Sequence, residues 1–367
     1  MTFSSLLNES DVNQLMRQAL DEGVFPGAVL LAARDGEILL HRAWGVADLS
    51  SGRPVTVDTV YDLASLTKPL ATTLAVMRLI QTGRLTLETP LGTVLPVMAD
   101  TAKAGVTLQQ LLSHCSGWPA WQPYFAQLRQ HPEEDRRPRL AQMLAAEPLV
   151  TTPGSATLYS DLDYLALGLV VENISGVRLD RFVRREIYQP LEIDDLFFNP
   201  LDAPPRPRSY AATERCPWRG GVLSGAVHDE NAYVLNGVAG HAGLFGTARA
   251  VFTLLRALLF AYRGESPSDL LAPDLVCAFW RRSGDSAWTL GFDTPSAQGS
   301  SSGTCFSPNS VGHLGFTGTS FWMDLDRRIT IILLTNRVHP VRANEKIRDF
   351  RPRIHDALME WFLLCSS

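Results

Sequence analysis

Leu63-Ala64-Ser65-Leu66-Thr67-Lys68-Pro69-Leu70 sets a serine and a lysine three positions apart, at the head of an apolar run that reads as a helix to about Gln81. Residues i and i+3 share one face of a helix, so the Lys68 ammonium is expected to reach the Ser65 hydroxyl. A serine hydroxyl is a weak nucleophile until a base takes its proton. A lysine held close and desolvated can be that base, because burial lowers its pKa. Ser65 is also expected at a helix N-terminus, where unpaired N–H groups favour developing negative charge. The chain has 3 lysines and 26 serines in 367 residues. Chance Ser-x-x-Lys matches then number roughly 0.2, and a short motif always carries that risk. The competing reading is a capping Ser65 with Lys68 in solvent, and the rest of the chain has to decide between them.

Upstream, residues 10–22 carry apolar positions 12, 15, 16, 19 and 20, a helical period closed by Gly23. Ala28 to Ala33 reads as a buried strand, Arg34-Asp35-Gly36-Glu37 as a hairpin turn, and Ile38 to Gly45 as the return strand. Downstream, Thr82-Gly83 stops the serine helix, and 84–106 reads as loops and short turns. A short capped helix is expected over 106–114, a polar helical region over 125–146, and helices over Tyr159–Ile174 and Leu179–Ile187 split by Ser175-Gly176. Residues 199–240 show no period, Ala248–Tyr262 is an apolar helix, and 299–303 reads as a flexible loop. The close is strand-rich, with runs over Gly315–Asp324 and Arg328–Asn336, and then an amphipathic helix over Lys346–Leu364. No repeat and no strand–helix alternation occurs. The pattern predicts an α+β fold, with an antiparallel sheet from both chain ends and a mainly helical region between them. The expected division is a sheet region over 1–60 and 285–367, a helical region over 61–284, and the active site at their seam.

Composition is that of a globular protein, 46% hydrophobic and 19% charged, with net charge −5. No basic run points to nucleic acid, and no apolar run approaches a membrane span. Residues 1–10 lack a basic segment followed by a long apolar one, so no secretion signal is read. Five scattered cysteines without Cys-x-x-Cys read as reduced thiols. The expected location is the cytoplasm, or the periplasm if the sequence is a processed form. Oligomeric state is not legible.

Three further stretches carry chemistry. In Leu158-Tyr159-Ser160-Asp161, a tyrosine beside a cation can shuttle protons, whereas the structural alternative is a packing tyrosine next to a helix-capping Asp161. In Gly312-His313-Leu314-Gly315-Phe316-Thr317-Gly318, the glycines allow close ligand approach and His313 can donate or transfer a proton. The alternative there is a strand-end histidine in a bend. Gly240-His241-Ala242-Gly243 reads as a structural turn, and His228-Asp229-Glu230-Asn231 lacks metal-ligand spacing, so no metal and no cofactor is expected. Gly299-Ser300-Ser301-Ser302-Gly303 matches a nucleophile elbow only formally, because no strand precedes it and no helix follows.

Taken in order, Ser65-x-x-Lys68, Tyr159-x-Asp161 and His313-x-Gly315 resemble the three signature motifs of the serine penicillin-recognising superfamily, in its class C β-lactamase-like branch. Leu111-Leu112-Ser113-His114-Cys115-Ser116-Gly117 is similar to that branch's LLSHTSG segment, and the resemblance runs from about residue 10 to 364. It implies a β-lactamase/transpeptidase-like fold. It implies an acyl-enzyme at Ser65, with Lys68 and Tyr159 moving the proton. It also implies an oxyanion hole from the N–H groups of Ser65 and Phe316, and a cleft lined by His313, Asp161, Leu314 and Gly315. Two departures stand out: Asp161 where the branch usually has Asn, and His313 where β-lactamases have Lys. A histidine is only partly charged near pH 7 and Asp161 adds a negative charge, so the two departures argue against binding of a penicillin's carboxylate and suit an ester, an amide or a substrate bearing an amine. The resemblance implies a small or peptide-like substrate, with cell-wall fragments among those expected. The alternatives are a β-lactamase, a D-Ala-D-Ala carboxypeptidase, or a sensor that acylates without turnover.

Overall fold

The computed structural model describes residues 9–266, 270–282 and 288–364. Its strands are β1 (Gly27–Arg34), β2 (Glu37–Asp48), β3 (Arg53–Pro54), β4 (Tyr61–Asp62), β5 (Leu196–Phe198), β6 (Arg215–Cys216), β7 (Gly221–Val222), β8 (Leu244–Gly246), β9 (Ser310–Leu314), β10 (Ser320–Asp324) and β11 (Ile329–Thr335). The main sheet runs β3-β2-β1-β11-β10-β9. Every neighbouring pair in it is antiparallel. The expected α+β fold, with a sheet drawn from both chain ends, is what forms. Asp35 (φ 53°) and Gly36 (φ 82°) make the hairpin turn that sets the β1–β2 register from Gly27↔Gly45 to Arg34↔Glu37.

β1 is apolar from Gly27 to Ala33 because both of its faces are covered there. Ala28, Leu30 and Ala32 pack into a core with Val12, Met16, Phe350, Ile354 and Leu358 of the two terminal helices, Glu9–Asp21 and Ile347–Leu364. Val29, Leu31 and Ala33 join the larger core on the other side, with Val251 and Leu255 of the helix Ala248–Tyr262. Between β3 and β9 lie most of the helices and two small sheets, β4-β8-β5 and β6-β7. β4 is short but decisive. It pairs with β8 and delivers the chain directly into the Ser65 turn, where Leu63 N–H donates to Leu244 O at 2.9 Å.

Several local expectations are corrected. The run over Gly315–Asp324 is not one strand: β9 ends at Leu314, a turn closed by Gly315 N–H to Thr319 O at 2.7 Å intervenes, and β10 begins at Ser320. Gly315 makes that turn possible, because a Cβ there would stand 2.6 Å from Leu63 O. The serine helix is three pieces: a 3-10 turn at Ala64–Leu66, a π-wound stretch at Lys68–Thr73, and α-helix only from Leu74 to Gln81. The 299–303 loop is anchored to the C-terminal helix rather than loose. His355 Nδ1 donates to Ser301 O at 2.8 Å, and the N–H of the adjoining Thr304 donates to Asp356 Oδ1 at 2.6 Å. Within 199–240, a short helix Glu230–Val234 forms where Asp229 caps it. Cys115, Cys216, Cys277 and Cys305 are free thiols, whereas Cys365 and residues 1–8 lie outside the described residues. Among the described residues, no helix is long and apolar enough to cross a membrane.

Candidate active site

Ser65 sits on a strained turn. Ala64 before it has φ 48°, in the left-handed region that L-residues avoid. Three hydrogen bonds hold it there: Ala64 N–H to Asp62 Oδ1 at 2.9 Å, Leu66 N–H to Leu63 O at 3.1 Å, and Thr67 Oγ1 to Ala64 O at 2.6 Å. The first helical hydrogen bond thus starts at Leu66, and the Ser65 N–H precedes it.

Lys68 is buried, and its ammonium donates to Ser65 Oγ at 3.2 Å, Tyr159 Oη at 2.7 Å and Asp161 Oδ1 at 2.6 Å. An ammonium has three N–H donors, so this set uses all of them. Helix capping explains how Asp161 comes to be available. The cap of the helix Asp161–Ser175 is Ser160, whose Oγ accepts Leu162 N–H at 3.1 Å, not Asp161 as the structural alternative held. Burial alone would lower the Lys68 pKa, as expected from sequence. The Asp161 charge and the Tyr159 oxygen outweigh it, and Lys68 ends above its ordinary value. Burial raises Tyr159 in turn, against the opposing pull of Lys68. The resting pair is therefore an ammonium and a neutral phenol.

His313 is buried at the end of β9 with Nδ1 2.8 Å from Leu314 O. A carbonyl only accepts, so Nδ1 carries the proton and Nε2 offers a lone pair. Nε2 is buried and has no hydrogen-bond partner among the described residues. Burial, and after it the Lys68 charge, pushes the imidazole down to about 3. It is neutral near pH 7, not partly charged, because it sits in a dry pocket beside a fixed cation.

The turn after β9 is sewn to the nucleophile segment. Thr317 Oγ1 donates to Asp62 O at 2.7 Å and Thr319 Oγ1 to Leu63 O at 3.1 Å. Arg337 Nε donates to Phe316 O at 2.9 Å, and the Phe316 ring stacks on His228 at 5.6 Å. These contacts bring Phe316 and Ser65 to one cavity of about 410 Å³, which Tyr159, His313, Leu314 and Gly315 also line. Lys68 and Asp161 are not among the lining residues; they stand behind Ser65 and Tyr159.

Other wall residues escaped the sequence reading: Trp288, Asp293, Arg337, Arg348 and Arg351. Trp288 packs against Tyr159 and His313 at 5.2 and 5.6 Å between ring centroids. His114 lies behind the wall and fixes Tyr159. Its carbonyl accepts Leu158 N–H at 2.8 Å, its Nδ1 accepts Ser160 N–H at 3.2 Å, and its ring sits 4.6 Å from the tyrosine ring. Its presence in the Ser113-His114-Cys115-Ser116-Gly117 segment was the only signal for it. The arginines of the final helix were legible only as its polar positions. His228 and His241 do not converge on one point: His228 Nε2 meets Glu214 at 3.1 Å, and His241 Nε2 meets Asp229 at 2.8 Å.

Asp293 pairs through its backbone with Gly312 and is pushed up to about 7 by burial, against a Thr294 backbone hydrogen bond and the Arg282 charge. A carboxyl raised on folding binds more protons in the native state, so it removes stability as pH rises from the ordinary 3.8 towards 7. Asp293→Asn is therefore expected to raise Tm relative to the wild type at pH 8 and to leave it unchanged at pH 4. Melting curves at the two pH values check this, and an equal shift at both would exclude the titration as cause.

The Beta-lactamase family profile matches residues 12–353. The chain belongs to that family. It is 34% identical over 92% of its length, and 85% of the relative's, to the "Putative D-alanyl-D-alanine carboxypeptidase" of Escherichia coli (strain K12). It is 33% identical over 89% of its length, and 80% of the relative's, to the N-acetylmuramyl-L-alanine amidase of Bacillus subtilis (strain 168). Among solved structures, it superposes with TM-score 0.72 and 23% identity on EstCE1, a hydrolase with promiscuous acyltransferase activity, covering 93% of this chain and 97% of the other. The β-lactamase/transpeptidase-like fold and membership of the serine penicillin-recognising superfamily follow, and the Beta-lactamase-family relatives are hydrolases.

Proposed function

We propose that this Beta-lactamase-family chain is a serine hydrolase that forms an acyl-enzyme at Ser65 and cleaves an ester or amide bond of a peptide-like, cell-wall-derived substrate. The observation that carries this reading is the Lys68 ammonium, which meets Ser65 Oγ at 3.2 Å and Tyr159 Oη at 2.7 Å behind the cavity that both of these residues line. Ser65 Oγ attacks the carbonyl carbon, and its proton leaves onto the Lys68–Tyr159 pair. The oxyanion is held by the N–H groups of Ser65 and Phe316. Preorganised donors of this kind lower a barrier by about 3–4 kcal/mol each. Tyr159 then protonates the departing group, and water repeats the sequence on the acyl-enzyme.

The cavity charge supports a substrate that ends in a carboxylate. Arg337, Arg348 and Arg351 line it together with two acidic residues, Glu345, which pairs with Arg348 at 3.0 Å, and Asp293, whose carboxyl is pushed up to about 7 by burial. Arg351 is buried, with Nη2 on the carbonyls of Gly315 and Thr319 at 3.2 and 3.0 Å and no carboxylate partner among the described residues. Buried cations favour an anion beside them. This replaces, on the final helix, the fixed charge that His313 cannot supply. The names of the two curated relatives, a carboxypeptidase and a muramyl amidase, agree with such a substrate.

The test is turnover of D-alanyl peptides with a free or amidated C-terminus, beside muropeptides, simple p-nitrophenyl esters and nitrocefin, together with intact mass after fluorophosphonate treatment. A single adduct on Ser65 and a preference for the free carboxylate are expected. An adduct mapping to another residue would reject the nucleophile, and equal rates on free and amidated peptides would reject the substrate class.

A further inference from the structure

In this site the Lys68 ammonium is already fully protonated, and each of its three N–H groups is engaged. It cannot receive the Ser65 proton until it gives one up. Tyr159 cannot receive it either while it is a neutral phenol whose oxygen accepts from Lys68. The shortest of the three contacts, 2.6 Å, runs to a carboxylate. Asparagine, the residue usual at this position, can accept a hydrogen bond there but cannot accept a proton near neutral pH. Resting on the acyl-enzyme reading above, we infer that Asp161 is the proton acceptor of acylation, taking a proton from Lys68 in the same step in which Lys68 takes the hydroxyl proton of Ser65.

The step balances. The Nζ–H bond towards Asp161 breaks, and an O–H bond forms on Oδ1. The freed amine lone pair takes the Ser65 proton, and the Oγ electron pair forms the bond to the carbonyl carbon. The carbonyl π pair moves to the oxyanion. On collapse, the leaving group takes the Tyr159 proton, Tyr159 is refilled from Lys68, and Lys68 recovers the proton held on Asp161. The acyl-enzyme then again has an ammonium and a carboxylate, with the serine proton carried off on the leaving group.

The surroundings favour this route. His114 and His313 are both held neutral, first by burial and then by the Lys68 charge. Asp163 is fully buried on the same helix as Asp161, and burial pushes its carboxyl well above the usual range; its Oδ2 lies 3.1 Å from the His114 Nδ1 that already accepts Ser160 N–H, a contact that a protonated Asp163 donates. Tyr164, whose ring the Lys68 ammonium approaches at 5.6 Å, is likewise a neutral phenol. Among the described residues facing the cluster, Lys68 and Asp161 are therefore its charged pair. With Asp161 taking one proton as Lys68 takes another, Lys68 keeps its charge throughout, and the negative charge passes from Asp161 to the oxyanion on the far side of the same ammonium, so no bare amine or second cation forms where unpaired charge is most costly. The Asp161 side chain is 18% exposed and that of Lys68 0%, so the proton moves towards the wetter end.

Asp161→Asn keeps an oxygen for Lys68 to donate to and removes the basic site. Acylation by a p-nitrophenyl ester, followed by stopped flow from pH 5 to 10, is expected to fall about 100-fold at pH 7, within the usual range for lost acid–base catalysis. The lost rate should return at alkaline pH as Lys68 deprotonates on its own, whereas the wild type stays level across neutral pH. A positional role alone would leave both rate and profile unchanged, and that result overturns the relay. A proton inventory on wild-type acylation in H₂O/D₂O mixtures does not depend on the variant folding. A curved plot, with two protons in flight, is expected, and a straight line overturns the relay. If fluorophosphonate labels Ser65 in both proteins at the same rate, the relay fails and the nucleophile stands; if Ser65 is unlabelled in the wild type, the nucleophile reading fails instead.

Discussion

Ser65→Ala is expected to lower kcat/KM for p-nitrophenyl esters by at least about 10⁴-fold, to a residue of activity that the oxyanion donors and binding alone can supply. The variant should fold. Its removed oxygen accepts one hydrogen bond, from Lys68 at 3.2 Å, and Lys68 keeps its two shorter contacts to Tyr159 and Asp161. The Ala64 turn does not depend on it either, since Asp62 Oδ1, Leu63 O and Thr67 Oγ1 make the bonds that hold the φ 48° residue. The Tm should fall only modestly, because one Lys68 N–H loses its longest contact, on the side that faces the cavity, while the two shorter ones remain. Turnover within tenfold of the wild type, in a folded variant free of contaminating esterase, would sink the assignment of Ser65.

Lys68→Met should cost both chemistry and stability. Without the ammonium, Ser65 loses its proton path and Tyr159 its donor, and acylation is expected to fall about 10³-fold, in the middle of the range for acid–base groups. The side chain is 0% exposed and its partner Asp161 18%, so methionine leaves a carboxylate facing an apolar neighbour. Breaking a buried pair costs roughly 3–5 kcal/mol, and the partial exposure of Asp161 places the expected loss at the low end. In the wild type, a lysine raised on folding contributes stability that is present below the ordinary 10.5 and is lost only as pH rises through its higher native value. In the variant, the stranded carboxylate is relieved by protonation, so the deficit should shrink as pH falls. Urea unfolding at pH 7 and pH 4 measures this. An equal deficit at both would show that packing, not charge, carries the loss.

Three short elements were legible because their causes are local. The Asp35-Gly36 turn needs two left-handed residues, and Asp-Gly is a pair that tolerates them. The unbroken apolar run of β1 reports a strand covered on both faces. The Ser65–Lys68 spacing places both side chains on one face whether the backbone winds as α-helix or, as here, starts as a 3-10 turn, in which i and i+3 eclipse. What misled was also local. Gly315-Phe316-Thr317-Gly318-Thr319 has strand-like residues, yet the turn there is decided by Thr317 and Thr319 reaching back 255 and 256 positions to Asp62 and Leu63. The 299–303 loop is polar and glycine-rich, and its anchor, His355, lies 54 residues away.

The Lys68 stretch marks the division most clearly. Sequence alone determined which residues could do chemistry, since residue type, spacing and order are properties of the chain: a serine, a lysine, a tyrosine and a histidine in a recognisable sequence. Tertiary structure decided their charge. Lys68 stays an ammonium, His313 stays a neutral imidazole, and Arg348 and Arg351 of the last helix line the same cavity. The physical reason is that protonation depends on burial and on charges a few ångströms away. Here those charges come from residues 93 positions apart, as Lys68 and Asp161 do, and such distances exist only once the chain has folded.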